Sequence, residues 1–169
     1  PEVSLVNIER IKPKPGQESV WDYPRPPVVQ PTDRHIEVVC AGRLMADTRR
    51  ALRVLETSHP PVYYVPPEDV EPNLLQRCGH ASYCEYKGEA TYFQITCDTG
   101  VIDDVAWSYE HPAAGYEPLA GYIAFHPAKV DECRVDGEVA RPQPGGYYGG
   151  WITSDVVGPF KGEPGTNGW

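Results

Sequence analysis

Polar and apolar residues alternate with period two through much of the chain, the pattern of half-buried strands rather than of helices. The clearest run is Cys84 to Tyr109. There Thr91, Phe93 and Ile95 fall on one face of a ladder and Tyr92, Gln94 and Thr96 on the other; Asp98-Thr99-Gly100 supplies a tight turn, and Val101 to Tyr109 returns to end on aromatics. This predicts a central β-hairpin. From Arg34 to Cys40, Ile36 and Val38 oppose Glu37 and Val39, and Ala41-Gly42-Arg43 turns the chain into Leu44 to Asp47 as a second hairpin. Leu52, Val54 and Glu56 alternate against Arg53 and Leu55 in a run closed by Ser58-His59-Pro60-Pro61, short enough to assign as a strand. Val62 to Val65 and Gly121 to Phe125 read as further strands, and Lys129 to Val135 and Glu138 to Arg141 flank the turn dipeptide Asp136-Gly137. Glu68 to Gln76 is the helical candidate, acidic early and with Leu74-Leu75 late, held to a turn or two by Pro72.

Composition supports the same class. With 19 Pro and 16 Gly in 169 residues, long helices are disfavoured and short strands joined by ordered turns are favoured. The length predicts a single domain over 1–169, with a core over 34–128. Residues 1–33, rich in proline, predict an extended arm whose Trp21 and Tyr23 pack on the body; Arg25 reads as part of that brace or as a ligand contact. Residues 129–161 predict a hairpin followed by a strap, Tyr147-Tyr148-Gly149-Gly150-Trp151, that covers a sheet edge or a second subunit in a homodimer. Residues 162–169 read as a mobile tail.

A net charge of −9 argues against nucleic acid or an anionic membrane as partner, because phosphate binding needs a basic face. No apolar run reaches the roughly 20 residues that span a bilayer, and the start of the sequence lacks a signal-peptide core, so the expectation is a soluble, cytoplasmic protein. The five cysteines, Cys40, Cys78, Cys84, Cys97 and Cys133, are odd in number and irregularly spaced. They imply no disulfide framework, and without a close pair they imply no structural zinc. Cys78-Gly79-His80 with Cys84 is the nearest approach to a metal knuckle and reads better as a free-thiol turn. No metal or cofactor is expected.

Three runs resemble a known family. Arg53 to Tyr64 (RVLETSHPPVYY), Cys84 to Tyr92 (CEYKGEATY) and Ala106 to Tyr109 (AWSY) look like the domain of unknown function 427 family, with the resemblance spanning roughly Ile36 to Phe125. It implies an all-β fold, a compact β-tent similar to the Mss4-like proteins, made of short antiparallel strands and hairpins with at most one short helix. No biochemical activity comes with it. The zinc of the tent-fold relatives sits on paired C-x-x-C knuckles that this chain lacks, so the metal is not carried over. The family is also labelled nucleotidyltransferase-like, but such chemistry needs carboxylates spaced for two magnesium ions. Asp103-Asp104 is the adjacent aspartate pair, and neighbours on a strand point to opposite faces unless a bulge intervenes.

The resemblance implies that the three motifs meet at the open end of the sheet. Glu56, His59, Tyr64, Cys84, Lys87, Trp107 and Tyr109 then line a pocket for an unidentified small molecule, aromatic walls with a few polar groups being what recognition needs. Lys87 alone reads as a solvated turn residue, and the aromatics alone read as core. A second reading is a hydrolase or transferase with Cys84 as nucleophile, His59 as its base, Glu56 orienting the imidazole and Lys87 stabilising an oxyanion. An acid/base variant uses Glu56 and Asp104. A third is a structural or partner-binding domain.

Overall fold

The computed structural model describes residues 8–169, and the first seven residues of the expected arm lie outside the described residues. Strands β1 (Glu18–Ser19) and β2 (Val28–Pro31) belong to the proline-rich start. They are followed by β3 (Ile36–Cys40), β4 (Arg43–Thr48), β5 (Leu52–Leu55), β6 (Val62–Tyr64), β7 (Leu75–Cys84), β8 (Gly88–Cys97) and β9 (Gly100–Ser108). The rest are β10 (Ile123–Phe125), β11 (Glu132–Val135), β12 (Glu138–Val139), β13 (Arg141–Pro142), β14 (Trp151–Ile152) and β15 (Val156–Val157). The protein is all-β, built from several mainly antiparallel sheets that close into no barrel. Among the described residues the helical pieces are 3₁₀ turns of three residues, and no helix is long and apolar enough to cross a membrane.

Two four-stranded sheets, β12-β11-β3-β4 and β10-β9-β8-β7, and a three-stranded sheet, β2-β5-β6, make up the body. Ile36, Val38 and Cys40 alternate inward along β3 and meet Met45, Ile95, Val105, Phe125 and Trp151 in the main core. Along β8 the alternation sends Phe93 and Ile95 to that core and Ala90 and Tyr92 to a second one with Val54, Tyr64, Tyr109 and Ala124. Both faces of β8 therefore meet a core, while the edge strand β7 is largely exposed. A bridge between Val65 and Ile123 ties β6 to β10 and carries the second core across. At the turn between β11 and β12, Asp136 and Gly137 both take positive φ, 50° and 84°, as expected of that dipeptide.

Three expectations are corrected. The run from Glu68 to Gln76 makes only a 3₁₀ turn at Pro67–Asp69, and Asn73, at φ 67°, sends Leu75 into β7, where it pairs with Ile95. Long-range pairing and the packing of Leu74 and Leu75 on the main core outweigh a weak local helix signal. The boundary at residue 34 does not divide arm from core, because β2 pairs with β5 along four positions from Val28↔Leu55 to Pro31↔Leu52. The tail is docked: Trp169 sets its ring edge-on to Trp21 with centroids 5.1 Å apart, Thr166 is buried, and the Gly162 amide donates to Thr166 Oγ1 at 2.9 Å. Trp21 offers that seat only after the arm has folded against β15, to which β1 is paired in parallel.

Candidate functional site

The site begins where β5 ends. The His59 amide donates to the Glu56 carbonyl at 3.0 Å, closing a four-residue turn with Ser58 in the left-handed region at φ 72°. A serine with that φ is unusual, and the surroundings hold it there. On one side the arm accepts the Thr57 amide on Pro24 O (3.1 Å) and the Ser58 amide on Val20 O (3.0 Å). On the other, the Lys161 amide donates to Ser58 O at 2.9 Å. Arg25 Nη2 adds a bond to Thr57 O at 2.9 Å. Both ends of the chain thus fix the orientation of Glu56 and His59.

The His59 ring is fixed further by Gln143, which is buried. The Gln143 Oε1 accepts from the Gly150 amide at 3.2 Å, so its NH₂ faces the Lys161 carbonyl (2.9 Å) and His59 Nδ1 (3.0 Å) and donates to both. Rotating the amide would set its oxygen against a carbonyl and its NH₂ against an N–H. His59 Nδ1 is therefore an acceptor, and the neutral ring carries its proton on Nε2. Burial, then the charges of Lys161, Arg25 and Lys87, push the His59 pKa down to about 4. Its Nε2 stands 3.8 Å from Glu56 Oε2, beyond hydrogen-bond reach, with 12 % of the side chain still exposed. Tyr148 meets the ring edge-on at 4.9 Å.

Of the seven residues named from the sequence, Tyr64, Cys84, Trp107 and Tyr109 share the second core with Lys87 over the Tyr109 ring, and Glu56 with His59 is joined to them through the strap. Glu56 lies between His59 and Arg25, 3.8 Å from each, rather than on Lys87 or Arg50; Arg50 is taken by Asp69 at 2.9 Å. Cys84 closes β7, and Lys87, in the turn to β8, holds its ammonium 5.7 Å from the centre of the Tyr109 ring. Cys84 is partly buried against the second core, which holds Tyr64, Tyr109 and Tyr116. Tyr64 and Tyr109 are buried, their phenols pushed up chiefly by desolvation, and they form the floor rather than the walls. Trp107 donates its indole N–H to Tyr64 Oη at 3.3 Å.

The strap closes over this floor. A Cβ at Gly149 would lie 2.1 Å from Trp107 Cη2, and one at Gly150 would lie 2.6 Å from Pro60 Cγ, so only a chain without side chains fits here. Trp107 is consequently roofed by backbone, and Tyr147 next to it is exposed. Of the strap's aromatics, Tyr148 packs on His59 and Trp151 enters the main core.

Asp104 lies apart. Phe93 pairs with Ala106 and Ile95 with Ile102, leaving Asp103, Asp104 and Val105 against Gln94 alone in a bulge where Asp104 takes φ 54°. The bulge turns the Asp104 carboxylate onto His80 Nε2 at 2.8 Å, while the Asp103 carbonyl accepts from Lys129 Nζ at 3.1 Å. No ion pair or hydrogen bond among the described residues joins Asp104 to Glu56. Cys78 and Cys84 are free thiols, and Cys78 Sγ donates to Gln94 Oε1 at 3.8 Å. Among the described residues, His35, Glu37 and Asp47 could hold a metal ion, with ligand atoms within 4.8 Å of one another. There His35 already bridges Asp47 (2.7 Å) and Glu37 (3.7 Å), and Arg134 stands 3.9 Å from Glu37.

Sequence reading missed Gln143, Tyr148 and Lys161, which come from a segment far from the three motifs, and it left Arg25 between two roles. The surviving signal is Gly149-Gly150 between aromatics, a place where two stretches of backbone approach closely. An all-β body with a polar site under a glycine strap defines the class. The chain belongs to the family described as Domain of unknown function (DUF427), whose model matches residues 28–136. No curated protein matches it.

Proposed function

We propose that the protein is a small-molecule-binding domain whose pocket is the His59 site, floored by Tyr64 and Tyr109 and roofed by the strap. One observation carries this reading: His59 is locked as a neutral donor by Gln143, yet among the described residues its Nε2–H has no acceptor within hydrogen-bond reach. A buried or half-buried donor left open is costly unless water or a ligand satisfies it. Three polypeptide segments hold the ring in that state, which is more support than a surface histidine requires.

Thiol catalysis draws less support from the same geometry. A base for Cys84 needs a free imidazole lone pair, and His59 spends that pair on Gln143 while Nε2 holds the proton. The pocket reading is tested by soaking or titrating a fragment library that contains neutral, anionic and cationic aromatics into the protein and locating the hits. Clustering around His59, Lys87 and Tyr148 is expected, with Cys84→Ser retaining the hits. Hits scattered over the surface with none at His59 would defeat it.

A further inference from the structure

We propose that the His59 site, taken as a ligand pocket, receives a small molecule that presents an oxyanion, carboxylate or phosphate, to the His59 Nε2–H and the cations Arg25, Lys87 and Lys161. This rests on the pocket reading above and names the ligand class for it.

The first support is the distribution of charge. The chain has 24 acidic residues against 15 Lys and Arg, so cations have carboxylates to spare. Away from the site, Arg34, Arg50, Arg53, Arg77 and Arg134 each hold a carboxylate within 3.0 Å, while cations such as Arg43, Arg49 and Arg141 stand singly on the surface among the described residues. At the site, Arg25 stands 3.8 Å from Glu56, and no side-chain carboxylate lies within 4 Å of Lys87 or Lys161 among the described residues. Lys161 Nζ donates to the Trp169 backbone oxygen at 3.2 Å and faces the Tyr148 ring; Lys87 faces the Tyr109 ring. Arg25 shares Glu56 with His59, Lys161 shares the Tyr148 ring with it, and Lys87 stands over the neighbouring Tyr109 ring. An acidic protein has gathered three cations about one neutral donor, and of the three only Arg25 has a side-chain carboxylate, Glu56, within 4 Å among the described residues.

The second support is the stand-off of Glu56. Its Oε2 is 3.8 Å from both Arg25 Nε and His59 Nε2, so an incoming oxygen breaks no formed bond to Glu56. The carboxylate would still repel an anion, and this fixes a sign. Removing the charge of Glu56 must tighten an oxyanion, and removing that of Lys87 must weaken it. Aromatic rings of Tyr148 and Tyr147 beside the cations suit a ligand with an apolar body.

The test is titration of the isotope-labelled full chain, followed by amide shifts of His59, Lys87, Tyr148 and Gly149, with five probes: inorganic phosphate, phenyl phosphate, benzoate, benzyl alcohol and benzylamine. The expected result is saturable binding of phenyl phosphate or benzoate, whichever is tighter identifying the oxyanion. Lys87→Gln should weaken it roughly tenfold and Glu56→Gln tighten it roughly threefold, with Arg134→Gln without effect. Raising the salt should weaken binding. If benzyl alcohol or benzylamine binds there as tightly as the anions, or Glu56→Gln weakens anion binding, the oxyanion assignment falls and the pocket reading stands. If none of the five shifts these amides the assignment also falls, and the fragment screen then decides the pocket independently.

Discussion

Two charged regions of this protein behave oppositely. An open cleft of about 1010 Å³ runs past Glu18, Arg34, Arg50, Arg53 and Asp155, each of which is held in an ion pair, and also past Asp33 and Arg49. Arg53 grips Glu18 through two bonds at 2.8 and 3.1 Å, and Arg34 joins Asp136 at 2.9 Å and also Asp155. Around His59, Arg25 holds Glu56 only at 3.8 Å, and no side-chain carboxylate lies within 4 Å of Lys87 or Lys161 among the described residues. Volume alone points to the cleft, but its paired groups already satisfy one another, and a ligand would have to break those pairs. Unmet hydrogen-bonding and charge are better guides to a site than space, because they are what a ligand can supply.

The largest expected difference appears in acid. In the unfolded chain a histidine protonates near 6.5, whereas folded His59 stays neutral until about 4. Between these values the unfolded state binds the extra proton, so stability falls as pH drops from about 6.5 to about 4, by about 3 kcal/mol in all. His126, lowered first by burial and then by Lys129, pulls the same way. Glu18 in the cleft, its pKa lowered chiefly by Arg53, keeps its contribution above its ordinary 4.5 and loses it only as pH falls through its lower folded value. Urea unfolding at pH 7 and pH 5 should therefore show a loss about 2 kcal/mol larger in the wild type than in His59→Gln, which keeps only the part due to His126. Equal losses in the two would show that the ring is not held neutral.

Next in size is the strap. Gly149→Ala puts a methyl into the Trp107 ring and should cost about 2 kcal/mol while abolishing binding at the site, since the roof must lift. Thermal unfolding read by Trp fluorescence measures it; a neutral result would mean the strap does not rest on Trp107.

The two smaller effects set the regions directly against each other. Arg53→Met strips Glu18 of its partner and should cost about 1.5 kcal/mol, the half-exposed Glu18 limiting the loss. Lys87→Gln relieves repulsion among unpaired cations and should stabilise by about 0.3 kcal/mol. Denaturant midpoints suffice for both. If removing Lys87 destabilises as much as removing Arg53, the site's cations are already neutralised and the contrast is lost.

Much of this was legible in the chain. Period-two alternation over Ile36–Cys40 and Thr91–Ile95, the turn dipeptides and the abundance of proline determined an all-β protein, because strand faces and turn conformations depend on neighbours close in sequence. The seven motif residues fall near one another because β5, β6, β7 and β9, which carry or adjoin them, share the second core. What the sequence could not determine was the state of those residues. His59 is a neutral donor because Gln143, 84 positions away, takes its other nitrogen, and that amide is in turn aimed by Gly150 and Lys161. Trp107 is roofed because a strap from beyond β13 finds it, and Asp104 leaves the site because a bulge against Gln94 turns it to His80. Leu75 became strand rather than helix through its pairing with Ile95. Tautomer, burial and charge balance are sums over groups that only folding brings within a few ångströms, so the tertiary structure alone decided them.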